Sequence, residues 1–356
     1  MSDTPELLFP PPLTADDAES YLDLRRRAVW FEAQNHWSLI TGPSAADALN
    51  GLVTNDVAAL EVGRGQHAIA LTAKGKVVCD MYIARLDDQS FLCTVIRDSA
   101  AAWLAMARKY INPRLAKVVD DHESWATWMV FGAQAAEAIA SLGGPSEEAD
   151  SPDALAARIT RLEQWPVWGH APWVIGSATV RLIRAPVMGA LPGFVILARA
   201  EDRSFIQSQL AASPYRRGSR SVWNVARIEG GRPAFGVDMD DNTIPQEANL
   251  DVLGAISFTK GCYTGQETVA RVHFRGHVNR HLRGLRATEP LPQHARVLDE
   301  AGKDVGDVRS TVISPRLGPI AMAMIRREVV PGSPVRVQLG SREIVAETVA
   351  LPFEGN

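Results

Sequence analysis

The stretch KGCYTGQE, residues 260–267, with Arg271 close behind it, is the most informative part of this chain. Gly261 and Gly265 bracket Cys262 and Tyr263, Lys260 stands before them, and the pair Gln266–Glu267 follows. Glycines at this spacing predict positive φ and close approach of backbone to backbone. Gln-Glu-Thr-Val-Ala-Arg then reads as the opening of a helix. A cysteine in a tight turn, beside a lysine and near a helix N-terminus, sits where a thiol is activated. Cys262 is therefore the leading candidate for a reactive group, set against the usual fate of an isolated cysteine, which is to be buried and inert.

Upstream of that turn, RIEGGRPAFGVDMDDNTIPQEANL (227–250) reads as a long loop. Arg227 and Glu229, two apart before Gly230-Gly231, form either a polar site at the mouth of that loop or a surface ion pair. Downstream, Arg271, His273, Arg275, His277, Arg280, His281, Arg283 and Arg286 make a basic stripe. It suits an anionic ligand such as a phosphate or a run of carboxylates, or else it is a solvated basic face. The histidines lack the spacing and supporting acid of a metal motif, so no metal is expected. After Arg283 the pattern changes to short strand-like runs, GKDVGDV (302–308), GPIAMAMI (318–325), SPVRVQL (333–339) and EIVAETVAL (343–351), split by Gly, Pro and Asp. These predict a small antiparallel barrel or sandwich with its boundary near residue 282.

The first half of the chain mixes strands and helices. SAADALNGLV (44–53) and AAWLAMARKYI (101–111) have helical period, whereas HAIALT (67–72), KVVCDMYIARL (76–86) and SFLCTVI (90–96) are strand-like. Asp80 stands among Val77, Val78, Met81, Tyr82 and Ile83. A carboxylate there is costly to bury unless it is paired, so it is either a functional acid/base or an edge-strand residue facing water. Cys79 reads as a small core side chain. A second α+β half follows, with strand 124–132, helix 135–143, an acidic loop at 144–153 and further apolar runs, turning helical from about residue 204. Strand–Gly–Ala-rich-helix units around Gly42 and Gly132 echo each other, as an internal duplication or as a common supersecondary unit. The expected division is a flexible lead-in (1–15, with a helix capped at Thr14 and running toward Arg27), α+β units at 16–135 and 136–282, and a barrel at 283–356.

The bulk properties bound the function. A chain of 356 residues suggests two or three domains, and 46% hydrophobic with 22% charged residues is an ordinary soluble composition. A net charge of −4 gives no support for stable nucleic-acid binding. Three dispersed cysteines, Cys79, Cys93 and Cys262, fit free thiols in a reducing compartment. The acidic, proline-containing N-terminus has no apolar signal-peptide segment, and no apolar run reaches membrane-spanning length. The cytoplasm is the expected location. No Walker A loop, dinucleotide fingerprint or GxSxG elbow is present.

These residues resemble a known family. KGCYTGQE is similar to the signature of the YgfZ branch of the aminomethyltransferase (glycine-cleavage T-protein) superfamily, which includes assembly factors for iron–sulfur proteins. ITGPSAADALNGLVTNDVAALEVGRG (40–65) with its TND, LTAKGKVVCDMYIARL (71–86), RIEGG with the stretch to residue 250, and DVGDVRSTVISPRLGPIAMAMI (304–325) resemble successive segments of that family, so the likeness covers nearly the whole chain. It implies three domains around a central hole that holds tetrahydrofolate. It also implies folate-facing roles for Asn55, Asp80, Arg227, Glu229, Lys260, Tyr263, Gln266, Glu267 and Arg271. Asp80 occupies the place of the transferases' catalytic aspartate, where a carboxylate orients or protonates an amine. Val195, in LPGFVILA (191–198), stands where the transferases carry a pterin-gripping glutamate. Its absence should weaken or alter pterin recognition by about 1–3 kcal/mol. The glycine-cleavage enzymes tend to have an acidic residue at the place of Cys262, so the thiol points to the YgfZ-like branch. What the resemblance implies is a folate-binding factor in maturation or repair of iron–sulfur proteins, with client proteins as transient partners and a link to tRNA modification. A folate-dependent aminomethyl- or methyltransferase, or a recognition module that kept the fold without using folate, are the alternatives.

Overall fold

Thr14 caps the first helix, Ala15–Arg26: its hydroxyl accepts from the Asp17 N–H at 3.1 Å, and the Asp17 carboxylate accepts from the Thr14 N–H at 3.3 Å. This is a reciprocal capping box. The computed structural model describes residues 8–145, 152–188 and 191–353. The expected loop at 144–153 thus lies largely outside the described residues, as do residues 1–7 of the lead-in; Leu8 bridges to Gln293 at the edge of the C-terminal domain.

Two antiparallel sheets make the centre of the molecule. The first has five strands in the order Gly65–Leu71, Val77–Arg85, Ser90–Ile96, Asn35–Thr41, Lys117–Asp120. Its alternation divides two environments. Cys79, Met81 and Ile83 bury against the helices Ala45–Asn50 and Ala100–Tyr110, with Trp103, Leu104 and Ala107. Tyr82 and Ala84 turn the other way, joining Trp37 and Leu92 against Ile183 and Leu197 of the second sheet. Asp80, two residues before Tyr82, shares that second face. The Val77–Arg85 strand lies inside its sheet, not at an edge, so the edge-strand reading of Asp80 is wrong: the carboxylate meets His67 of the neighbouring strand.

The second sheet runs Arg216–Arg217, Val29–Ala33, Trp125–Phe131, Leu191–Arg199, Ala178–Met188, His170–Ile175. It is antiparallel except where Val29 and Trp30 pair in parallel with Arg216 and Arg217. Its outer face carries Trp128, Phe194 and Ile196 under Ile139, Leu162, Ile206 and Leu210 of the covering helices. The Val29–Ala33 strand precedes the first sheet in the chain yet lies in the second, so residues 16–135 contribute to both layers.

The echo around Gly42 and Gly132 is structural. Each glycine ends a strand at φ +143° or +140° and lets a neighbouring backbone pass where a side chain would stand. A Cβ on Gly42 would meet Leu115 O at 2.6 Å, and one on Gly132 would meet Arg27 O at 2.4 Å. Two residues on, Ser44 N–H donates to Leu115 O and Gln134 N–H donates to Arg27 O. The sheet orders correspond as well, each strand–Gly–helix unit being followed by further antiparallel neighbours and a second covering helix. A shared local clash avoided in the same way argues for duplication.

The C-terminal strands close into a six-stranded antiparallel barrel: Arg280–Ala287, Gly318–Arg326, Asp304–Ser314, Arg296–Leu298, Pro334–Leu339, Arg342–Val349. Val297, Val308, Ala323, Val335 and Ile344 fill it. Closure removes the open edges that a sandwich would leave, and settles the fold as α+β with a small barrel. Among the described residues no helix is long and apolar enough to cross a membrane.

Candidate functional site

The 260–267 turn is locked to the first sheet by two interdigitating glycines. Gly265 has φ +82° and precedes the helix Gln266–Arg275. A Cβ there would lie 2.5 Å from Thr72 O, and one on Gly75, in the hairpin between the first two strands of the first sheet, would lie 2.7 Å from Thr268 Cβ. Gly261 is a correction: its φ is not positive and the space around it is open. The turn is therefore made at Thr264–Gly265, where Thr264 N–H donates to Gly51 O at 3.0 Å. Tyr263 is buried with Ile69, Leu71, Val77 and Val269, and burial pushes its hydroxyl pKa up to about 12. Cys262 is a free thiol on the surface. Gln266 is half-buried, whereas Glu267 and Arg271 are exposed.

Lys260 is not beside the thiol in the sense the sequence suggested. Its side chain runs inward, and its ammonium donates to three carbonyl oxygens: Asn50 at 2.6 Å, Val53 at 2.8 Å and Asn55 at 2.8 Å. Three N–H groups meet three acceptors at the end of the Ala45–Asn50 helix, where a cation also suits the helix dipole. Burial pulls its pKa down to about 8, opposed by Asp56, which leaves it charged at neutral pH. Asn55 continues the chain of contacts. Its Nδ2 donates to His67 O at 2.9 Å and to Gly254 O at 3.0 Å. Thr54 donates to Ala255 O and accepts from Ile69 N–H. The TND segment thus stitches the signature turn to the strand that bears His67.

His67 and Asp80 lie beside the inter-sheet cluster. His67 Nε2 and Asp80 Oδ1 are in direct hydrogen-bond contact. His67 Nδ1 is buried and has no partner among the described residues. Arg232 lies near enough that the Asp80 charge opposes the fall that burial imposes on its pKa. Trp168, held at φ +65°, stacks on Tyr82 at 4.8 Å and lies 6.4 Å from the His67 ring. A half-exposed carboxylate, an unsatisfied imidazole nitrogen, an arginine and a flat aromatic wall together offer a place for a planar, hydrogen-bonding ligand.

Beside this face, His170 joins the two sheets. Arg181 Nη1 donates to His170 Nδ1 at 2.8 Å, and His170 Nε2–H donates to Arg64 O at 3.2 Å, which assigns the neutral tautomer. Burial first, then Arg181, pulls its pKa to about 4 from an ordinary 6.5. Between pH 6.5 and 4 the unfolded chain therefore holds a proton that the folded chain does not. The stabilisation is complete above pH 6.5 and lost as pH falls toward 4. By pH 5 the loss should be about 2 kcal/mol. Urea midpoints at pH 7 and pH 5 check this: the wild-type drop should exceed that of His170→Gln, and equal drops would exclude His170 as the cause.

Arg227 and Glu229 are not the surface ion pair that the sequence allowed: both are buried at the head of the 230–250 loop, in separate networks. Arg227 donates to Asp238 at 2.9 Å, to Ser310 Oγ at 2.7 Å, to Asn224 Oδ1 at 3.1 Å and to Arg232 O at 3.2 Å. Glu229 accepts from Tyr21 at 2.7 Å, from Arg25 at 2.6 Å and from Ser314. On the helix Arg220–Glu229 they fasten the first helix and the barrel strand Asp304–Ser314 to the body of the protein. The basic stripe also divides. Arg271, His273 and Arg275 lie on a helix, while Arg280, Arg283 and Arg286 lie on a barrel strand, where Arg280 pairs with Glu247 at 2.9 Å.

Of the expected site residues, Lys260, Asn55 and Asp80 are thus linked through His67. Cys262 rides on the same turn, and Arg227, Glu229, Glu267 and Arg271 lie outside that linkage. Sequence reading missed His67, Trp168 and Arg232. A hairpin drawn about Lys74-Gly75 would have set His67 near Asp80; the other two come from loops distant in the chain and carry no local signal.

The comparisons with known proteins agree with this geometry. Residues 14–260 match the GCVT N-terminal domain, and residues 280–354 match the glycine cleavage T-protein C-terminal barrel domain. The chain belongs to the glycine cleavage T-protein family. Similar proteins include both aminomethyltransferases and YgfZ proteins. An aminomethyltransferase of Saccharopolyspora erythraea is 29% identical over 350 residues, 95% of this chain and 89% of that protein. A tRNA-modifying protein YgfZ of Edwardsiella ictaluri is 30% identical over 289 residues, 80% of this chain and 76% of that protein. The crystal structure of the glycine cleavage system aminomethyltransferase T from Bartonella henselae superposes with a TM-score of 0.83 at 20% identity, covering 97% of this chain and 91% of that one. The GCVT-like fold is therefore shared, and overall identity does not separate the two kinds of relative.

Proposed function

We propose that this member of the glycine cleavage T-protein family is a cytoplasmic tetrahydrofolate-binding protein of the YgfZ branch that serves the maturation or repair of iron–sulfur proteins. Cys262 is its working thiol. The observation that carries this reading is the anchoring of an exposed thiol turn, through Lys260 and Asn55, to the strand pair that holds His67 and Asp80. A turn merely exposed on the surface would need no such tie to a buried polar centre.

The residues present fit a folate. Asp80 would accept from ring N–H donors, His67 Nδ1 offers an unsatisfied buried nitrogen, and the Trp168–Tyr82 pair gives a flat wall. Bound tetrahydrofolate would supply ring nitrogens that carry a one-carbon unit. Asp80, fixed by His67, would orient the reacting amine and hold or release its proton. Cys262 would receive a one-carbon unit from the folate, exchange with a disulfide already present on a partner and release one of its thiols, or offer a thiolate to iron; a cluster needs about four ligands, so the others must come from a client or a small molecule. The name borne by the YgfZ relatives supports a link to tRNA modification.

A folate-dependent aminomethyltransferase is the second reading, and the histidine-held Asp80 is the observation in its favour. Against it stands Val195, packed in the inter-sheet apolar cluster where the transferases carry a glutamate. Complementation of a deletion strain, together with calorimetric titration by tetrahydrofolate, separates the readings. Cys262→Ala should bind tetrahydrofolate like wild type yet fail to restore iron–sulfur enzyme activity. Asp80→Asn should bind roughly 10–100-fold more weakly. Full restoration by Cys262→Ala would sink the thiol role, and absence of wild-type binding at millimolar ligand would leave a recognition module.

A further inference from the structure

At the far edge of the first sheet, the antiparallel register pairs Ser38 with Asp120. That register brings His36, at the head of the Asn35–Thr41 strand, beside His122 in the turn that follows Lys117–Asp120. The two imidazoles stack with ring centroids 4.5 Å apart and planes 19° from parallel. Asp120 Oδ1 lies 2.9 Å from His36 Nε2 and 2.8 Å from His122 Nδ1. The three donor atoms all fall within 4.8 Å of one another.

His36 is only 9% exposed, and its Nε2 is buried without a properly directed hydrogen bond; the Asp120 oxygen is close but off the hydrogen-bonding direction. A buried polar atom without a partner calls for an explanation, and here it lies within 4.8 Å of a carboxylate oxygen and a second imidazole nitrogen. The turn that carries His122 is itself held. Trp125 Nε1 donates to Asp121 Oδ2 at 2.7 Å, Asp121 N–H donates to Trp37 O at 3.1 Å, and Ser124 N–H donates to Asp121 O at 3.1 Å. Asp120 and His122 keep 31% and 40% of their side chains exposed, so one side of the cluster is open to water.

We propose that His36, Asp120 and His122 bind a single divalent transition-metal ion, with zinc the best chemical match and a fourth position left to water. Two imidazole nitrogens and one carboxylate oxygen are a borderline donor set that suits zinc and its neighbours, whereas magnesium and calcium demand oxygen. Ligands about 2.0–2.2 Å from such an ion replace the off-axis His36–Asp120 contact with a bond. The site is separate from the proposed folate face. Ser38, on the same side of its strand as His36, accepts from Trp103 of the covering helix at 2.9 Å, whereas Asp80 looks to the opposite side of the sheet. An ion here would pin the 120–124 turn to the strand that leads into the first sheet.

The experiment uses the full chain, stripped with a chelator and titrated with zinc against a chromophoric competitor, with thermal midpoints recorded alongside. Wild type should take up one equivalent and gain thermal stability. His36→Ala and His122→Ala should each lose about 100-fold or more in affinity, and zinc should no longer raise their midpoints. Cys262→Ala, which removes the exposed thiol that could also bind zinc, should behave like wild type. Retained one-to-one binding in both histidine variants would overturn the site, as would loss of binding in Cys262→Ala alone, or only weak multi-site uptake by wild type. Should His36→Ala fail to fold, the exposed His122→Ala variant decides the matter.

Discussion

Asp238→Ala is expected to destabilise the protein by about 3–5 kcal/mol, the cost of leaving a buried guanidinium without its counter-charge. Asp238 is completely buried, and Arg227, its ion-pair partner, is 10% exposed. One carboxylate oxygen accepts from Arg227 at 2.9 Å and from Ala234 N–H at 2.8 Å; the other accepts from Ser310 N–H at 3.1 Å. Alanine orphans three donors at once, in a place where the Arg220–Glu229 helix, the loop after it and a barrel strand meet. The thermal midpoint should fall by roughly 5–10 °C. The double variant Arg227→Met with Asp238→Leu removes the unpaired charge and should recover part of the loss, since apolar replacement of a buried pair is far cheaper than breaking it. Two backbone N–H groups still lack an acceptor, so recovery should be incomplete. A single variant as stable as wild type would mean that water reaches Arg227 and that the barrel is not fastened through this pair.

Lys260→Met should cost about 3 kcal/mol, because it keeps the apolar stem but withdraws the ammonium that donates to the converging carbonyls of Asn50, Val53 and Asn55. Lys260→Arg should not rescue it: a planar fork cannot direct three N–H groups to one point as an ammonium does. The change acts twice. It loosens the 50–55 loop, and through Asn55 it releases His67 O, so the His67–Asp80 pair loses its registration. Urea denaturation reads the first effect and tetrahydrofolate titration reads the second, with about a tenfold loss of affinity expected alongside the shift in midpoint. Unchanged affinity with reduced stability would confine Lys260 to the fold and weaken the proposed tie between the thiol turn and the folate face.

Much of this architecture was legible in the chain. Alternation in KVVCDMYIARL predicts a strand, and the same alternation explains why Cys79 is core while Asp80 and Tyr82 look the other way. Short strands split by Gly, Pro and Asp after Arg283 predict the barrel, though not its closure, which depends on pairing between strands far apart in sequence. The Gly42–Gly132 echo announced two related units, because a strand that turns directly into a helix beneath a passing backbone has room only for glycine. The Val29–Ala33 strand gives no sign that it belongs to the second sheet, since a half-buried strand reads the same whichever layer receives it.

The site divides along the same line. KGCYTGQE, TND and RIEGG determined by themselves which family the chain resembles, because a signature records the residue types that a turn requires. Only the tertiary structure decided what each of them does. Lys260 faces three carbonyls instead of the thiol, Arg227 and Glu229 fasten the barrel instead of pairing at the surface, and Asp80 meets a histidine thirteen residues away. The physical reason is direction. Sequence specifies donors, acceptors and charges, but whether a buried lysine or glutamate turns toward a ligand or toward its own backbone depends on which unsatisfied groups the packed chain leaves within reach.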